Sequence, residues 1–346
     1  MNKKSWKHLI GAVLLLATAQ FAQAWDRSPA TTFATLPAGA NNPEGIAVDA
    51  AGRLYVATFA VQGTPSGVGQ IFVFGQHGQL LWQVDVAGSS NLLLDLAFHP
   101  TTGALLVIDF GKQRVLNVNP ANGAATVFAT LPGGAAAGPN SLRFDDAGNV
   151  YISDSFQGTI WRTGPNGGAI SNWVTSPLLQ TTGVPPFGAN GLAFNRKRTA
   201  LFVANTGNDT VVKIPLSAGV PGTPVVFVNS INGPDGLLMD EDDNLWVAAN
   251  QSDEIVVVDP SGRLLAKLGD FNGLDSHGSP KGLLFPASLV RFGDFVYVTN
   301  LALDLRLFGL VQTVDSQWTA DVKRHTVARI RARITPLSSG ANSDND

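Results

Sequence analysis

Short apolar runs, rich in β-branched and aromatic residues, alternate along this chain with clusters of Gly, Asp, Asn and Pro. Runs of that length, bounded by turn residues, predict β-strands. The first group of four falls at 45–49, 53–58, 70–75 and 79–86. Its wording then returns. Pro43-Glu44-Gly45-Ile46-Ala47-Val48-Asp49 leads to Leu54-Tyr55-Val56-Ala57, and Pro139-Asn140-Ser141-Leu142-Arg143-Phe144-Asp145 leads to Val150-Tyr151-Ile152-Ser153. Ala189-Asn190-Gly191-Leu192 precedes Leu201-Phe202-Val203-Ala204, and Pro234-Asp235-Gly236-Leu237 precedes Leu245-Trp246-Val247-Ala248. Two weaker copies begin at Leu94-Asp95-Leu96-Ala97 and Ala287-Ser288-Leu289-Val290.

With Glu44 as reference, the equivalent positions are Leu94, Asn140, Asn190, Asp235 and Ala287, spaced 50, 46, 50, 45 and 52 residues apart. That period suits a four-stranded propeller blade. The predicted fold class is therefore all-β, a six-bladed β-propeller of four-stranded antiparallel blades. The segment 31–36 resembles the outer-strand segment 125–131, so an N-terminal strand is expected to complete the last blade beside 327–333. Closure of this kind leaves no exposed sheet edge. The alternating Arg329, Arg331 and Arg333 then read as one solvated strand face.

In such a meander, the loop entering the first strand and the loop leaving the second lie on one face of the disc. The longest connections, 58–69, 176–190, 268–287 and roughly 301–324, all fall there, which makes it the candidate active face. The opposite face receives tight turns such as Asp49-Ala50-Ala51-Gly52 and Asp145-Asp146-Ala147-Gly148, whose acids are expected to bond their own backbone. The reference position opens the innermost strand on the loop face. Its occupants Glu44, Asn140, Asn190 and Asp235 would converge on the central axis from four blades. Two carboxylates brought together repel unless a cation lies between them. Oxygen donors without His or Cys favour a hard ion, so Ca²⁺ leads, with Mg²⁺, Mn²⁺ and Zn²⁺ as the other candidates.

These residues resemble the senescence marker protein/gluconolactonase family, six-bladed propellers that hydrolyse sugar lactones and related esters with a divalent metal. The resemblance spans roughly 30–335. It implies that Glu44, Asn190 and Asp235 hold the metal and that Asn140 lies near metal and substrate. It also implies that Asp235 assists proton transfer while the ion polarises the substrate carbonyl. The repeat wording is similar to NHL repeats as well, so the alternative function is a non-catalytic propeller binding a protein or glycan on its loop face. A lyase or a strictosidine-synthase-like propeller is a third reading.

Composition narrows the setting. Lys3, Lys4 and Lys7 precede an apolar run at 9–19 and the small-x-small sequence Ala22-Gln23-Ala24, which reads as a cleaved signal peptide over 1–24. The expected organisation is a leader at 1–24, one propeller domain at 25–335 and a disordered tail at 336–346. The expected location is periplasmic or secreted, with no membrane anchor after cleavage. Loss of three Lys takes the formal charge from -3 to -6, and no basic patch argues for nucleic acid. With no Cys, stability must come from the core, to which a bound ion could add.

Other residues carry weaker signals. His277 sits in a long loop, and streptogramin-lyase propellers use a His in catalysis. His99 is expected to be structural. Asp109, Asp154, Asn205 and Asn300 recur at the ends of second strands, where they would cap loops or support the ion. Phe187, Phe271 and Phe285 are candidates for an apolar pocket wall.

Overall fold

The predicted strands form and assemble into six antiparallel sheets. The computed structural model describes residues 27–62, 67–310 and 316–334; the leader expected at 1–24 and the tail expected at 336–346 lie outside them. The inner strands are Asn42–Val48, Leu93–Phe98, Pro139–Phe144, Ala189–Phe194, Pro234–Met239 and Pro286–Phe292. Each pairs with the next strand in sequence, and the order continues outward through the blade. The fourth blade adds a two-residue strand, Val220–Pro221, and the loop entering the sixth carries a small hairpin, Phe271–Leu274 with Pro280–Gly282.

The ring closes as expected. Thr31–Thr35 pairs antiparallel with Thr326–Arg331, so the sixth blade takes one strand from the N-terminal end and three from the C-terminal end. No helix of the described residues is long and apolar enough to cross a membrane.

The core is a series of layers between neighbouring blades. Tyr55, Ile71 and Val73 of the first blade pack on Leu105, Val107 and Leu116 of the second; Phe202 and Val211 of the fourth pack on Leu245 and Val256 of the fifth. Each fully buried large side chain contributes about 1.5–3 kcal/mol, so stability is spread around the ring. On the turn face the aspartates do bond their own backbone. Asp49 Oδ1 accepts from the amides of Ala51 and Arg53, and Asp145 Oδ1 from those of Ala147 and Asn149. Their second oxygens take the hydroxyls of Tyr55 and Tyr151. His99 is buried, with Nε2 2.9 Å from the Gly148 carbonyl, which fits the structural role expected of it.

One closure residue makes stability depend on pH. The His325 carbonyl accepts the Leu36 amide at 2.9 Å, while its ring Nδ1 is shielded from solvent without a partner. Burial pushes the imidazole down to about 4. The unfolded chain therefore takes up this proton first as pH falls below 6.5, and stability present above that value is lost between 6.5 and about 4. The residue keeps some solvent contact, so the expected loss at pH 4.5 is about 2 kcal/mol. Urea unfolding of the parent and of His325→Phe at pH 7 and 4.5 checks this: the variant should lose about that much less on acidification.

Candidate functional site

All six inner strands carry a β-bulge at the same place. Two residues on the inner strand oppose one on its neighbour: Glu44-Gly45 opposite Ala57, Asn140-Ser141 opposite Ser153, Asn190-Gly191 opposite Ala204 and Asp235-Gly236 opposite Ala248. The weaker copies do the same with Leu94-Asp95 and Ala287-Ser288. A bulge bends its strand and re-aims the side chains at that point. The reference residues therefore lie inside their strands, a little later than the strand start expected from sequence. Glu44, Leu94, Asn140, Asn190 and Asp235 line one cavity of about 30 Å³, space for one or two water-sized occupants.

The glycines after three of these residues permit the convergence. A Cβ on Gly45 would lie 2.3 Å from the Leu94 carbonyl oxygen, on Gly191 2.2 Å from that of Asp235, and on Gly236 2.6 Å from that of Ala287. Backbones of successive blades thus meet where only a hydrogen fits.

Neighbouring groups orient the polar side chains. Asn190 Nδ2 donates to Thr206 Oγ1 at 2.9 Å, and the Thr206 hydroxyl donates to the Pro234 carbonyl at 2.7 Å, which leaves Asn190 Oδ1 available as an acceptor. Asn250 Nδ2 donates to Asp235 Oδ2 at 3.1 Å. Thr206 and Asn250 also line the cavity, and sequence reasoning missed both. Each is the residue just past its second strand, as are Phe110, Ser155 and Leu301; the equivalent Phe59 of the first blade is the last residue of its strand. Aligning those six positions is the signal that finds them.

Electrostatically the site is in deficit. Glu44 Oε2 and Asn250 Oδ1 are buried acceptors with no hydrogen-bond partner. Burial, then the charges of Asp235 and Asp95, raises Glu44 well above the usual carboxylate range. Burial likewise pushes Asp235 up to about 7, against the lowering effect of hydrogen bonds from Asn250 and Asn190. Asp95 is buried too, but it is committed elsewhere, accepting from Ser141 Oγ at 2.6 Å, the Leu142 amide and Arg143 at 2.6 Å. Among the described residues, no three His, Cys, Asp or Glu side chains gather as a metal-ligand cluster. An ion held here would rest on two carboxylates completed by amide oxygens.

The four long loops supply the rest of the cavity wall: Phe59, Pro185, Phe187, Phe285, Leu301 and Leu303. Phe271 does not join them; its ring packs edge-on against Trp318 at 5.6 Å. His277 is exposed at the tip of the inserted hairpin, away from the cavity. Asp109, Asp154, Asn205 and Asn300 cap loops. Asp154, for example, takes the amides of Gly138, Phe156 and Gln157, and Asn300 Nδ2 donates to the Gly282 carbonyl.

An all-β ring of six blades with oxygen donors converging on its axis defines a propeller with an axial polar site. A sequence model described as the SMP-30/gluconolactonase/LRE-like region matches residues 96–269, just over half of the chain, and the chain belongs to that family. A strictosidine synthase-like N-terminal model matches residues 30–59. No curated protein sequence matches significantly. Among solved structures, a luciferin-regenerating enzyme is 17% identical over 88% of this chain and 95% of its own, with a TM-score of 0.64. A calcium-binding protein, regucalcin, from Agrobacterium tumefaciens is 17% identical over 89% and 98%, TM-score 0.60. A gluconolactonase from Xanthomonas campestris is 17% identical over 82% and 89%, TM-score 0.59. What these structures share with the chain is the fold.

Proposed function

We propose that the protein is a divalent-metal-dependent hydrolase of lactones or small esters. The observation that carries this reading is the pair of buried carboxylates, Glu44 and Asp235, around one small cavity with an unpaired Glu44 oxygen. Like charges so placed call for a cation between them. Glu44, Asn190 and Asp235 would hold it, all through oxygen, which favours Ca²⁺. Such an ion supplies Lewis-acid polarisation of the substrate carbonyl. Asn250 holds Asp235 in place through its amide nitrogen. Asn140, whose amide borders the cavity, orients the substrate. Asp235 takes a proton from the attacking water and returns one to the leaving alkoxide, the ion beside it keeping it ionised and ready to act as the base. We also expect export, from the leader pattern in residues 1–24.

The test is hydrolysis of a panel of lactones and small esters by acid release. Activity should disappear after exhaustive chelation and return on addition of Ca²⁺. Absence of turnover on the whole panel, with Ca²⁺, Mg²⁺, Mn²⁺ or Zn²⁺ supplied, would contradict the hydrolase reading.

A further inference from the structure

The cavity has a polar floor and an apolar roof, and the roof extends well beyond the cavity. Phe187 lines it, stacks on Phe156 at 5.9 Å and 22°, and meets Phe308 edge-on at 5.9 Å. Phe110 lies 5.7 Å from Phe156, 6.2 Å from Phe187 and 5.8 Å from Phe59. These five rings come from five different segments: the second-strand exits of the first three blades, the loop entering the fourth, and the loop after the second strand of the sixth. They form one continuous path from the floor to solvent, where Phe156 remains 45% exposed and Leu307, beside Phe308, 51%. Among the described residues no Lys, Arg or His lines the cavity, and the ionisable residues that do are Glu44 and Asp235.

This surface discriminates among lactones. A polyhydroxylated ring would have to strip its hydroxyls of water and set them against phenyl faces, where each unpaired hydroxyl is costly. An alkyl or aryl arm gains from the same surface. The small volume also requires one of the roof rings to move outward when a ligand enters, and that exchange favours an arm that replaces ring–ring contact with its own. Resting on the hydrolase reading above, we propose that the substrate is a lactone or ester bearing an apolar alkyl or aryl arm. Its carbonyl sits on the Glu44–Asp235 floor and its arm lies along Phe187 and Phe156.

The test uses two homologous series on the Ca²⁺-supplemented mature protein. Turnover is measured for δ-valerolactones carrying 5-alkyl arms of one to seven carbons, with glucono-δ-lactone alongside. Binding is measured by calorimetry for the matching 5-alkyl-δ-valerolactams, which resist hydrolysis. The expected result is a rise in kcat/KM, and in lactam affinity, of about three- to fourfold per added methylene over the first few. The slope should be shallower in Phe156→Ala, which removes the most exposed of the five rings, with a thermal melt to check that the fold survives. Equal or better turnover of glucono-δ-lactone with no chain-length slope overturns this inference and leaves the hydrolase reading standing. A lactam slope without any turnover overturns the hydrolase reading and supports the apolar site. Neither turnover nor lactam binding overturns both.

Discussion

Replacing Asp235 by Asn is expected to lower hydrolysis by about a thousandfold while the fold survives. Asn keeps an oxygen to accept the Asn250 amide at the position now 3.1 Å away, so local geometry is retained. What is lost is the ability to move a proton and one of the two charges that would hold a cation. The same change removes a like charge from beside Glu44, whose titration Asp235 raises. In chelated protein the variant should therefore melt at or above the parent's temperature, whereas added Ca²⁺ should raise the melting temperature of the parent alone. Initial rates and thermal melts, each with and without Ca²⁺, measure both parts. Full activity in the variant would remove Asp235 from the mechanism.

The second large effect concerns a residue with no chemistry of its own. Gly191→Ala would place a Cβ 2.2 Å from the Asp235 carbonyl oxygen, 2.9 Å from the Leu237 amide nitrogen and 3.0 Å from the Gly236 Cα. All three are backbone atoms, so no rotamer change relieves the contact. The inner strand of the fifth blade must shift, taking Asp235 with it. Overpacking of this kind costs about 1–3 kcal/mol or more, a fall in melting temperature of roughly 5 °C. Ca²⁺ binding should be lost as well. Gly164→Ala, where a Cβ would meet nothing within 4 Å, is the control and should stay within about 0.5 kcal/mol of the parent.

The ring itself was legible because each inner strand repeats its wording at a near-constant interval, and closure was legible from the likeness of 31–36 to 125–131. Glu44, Asn140, Asn190 and Asp235 were legible for the same reason, as variable letters inside a repeated phrase, and the structure brings all four to one cavity. The bulges were not. An extra residue in one strand changes pairing and aim without changing the apolar run that announces the strand. Asn250 escaped notice because it stands one residue past its strand, where an Asn reads as a turn former. Phe187 and Phe285 stood out as aromatics in long loops. Phe59 and Phe110, by contrast, stand directly after the apolar runs of the second strands and carry no motif of their own, and only the ring positions show that their side chains belong to the loop face. The recurrent Asp109, Asp154, Asn205 and Asn300 illustrate the opposite case, a clear periodic signal whose cause is loop capping.

The central claim is that Glu44 and Asp235 face one another across a cation. Calorimetric titration of Ca²⁺ into chelated protein comprising residues 25–346, beside Glu44→Gln, tests it most directly. The account predicts binding close to one ion per chain in the parent and loss of that binding in the variant, because the unpaired Glu44 oxygen is the atom most in need of a partner. No binding of Ca²⁺, Mg²⁺, Mn²⁺ or Zn²⁺ by the parent, or undiminished binding by Glu44→Gln, would contradict it.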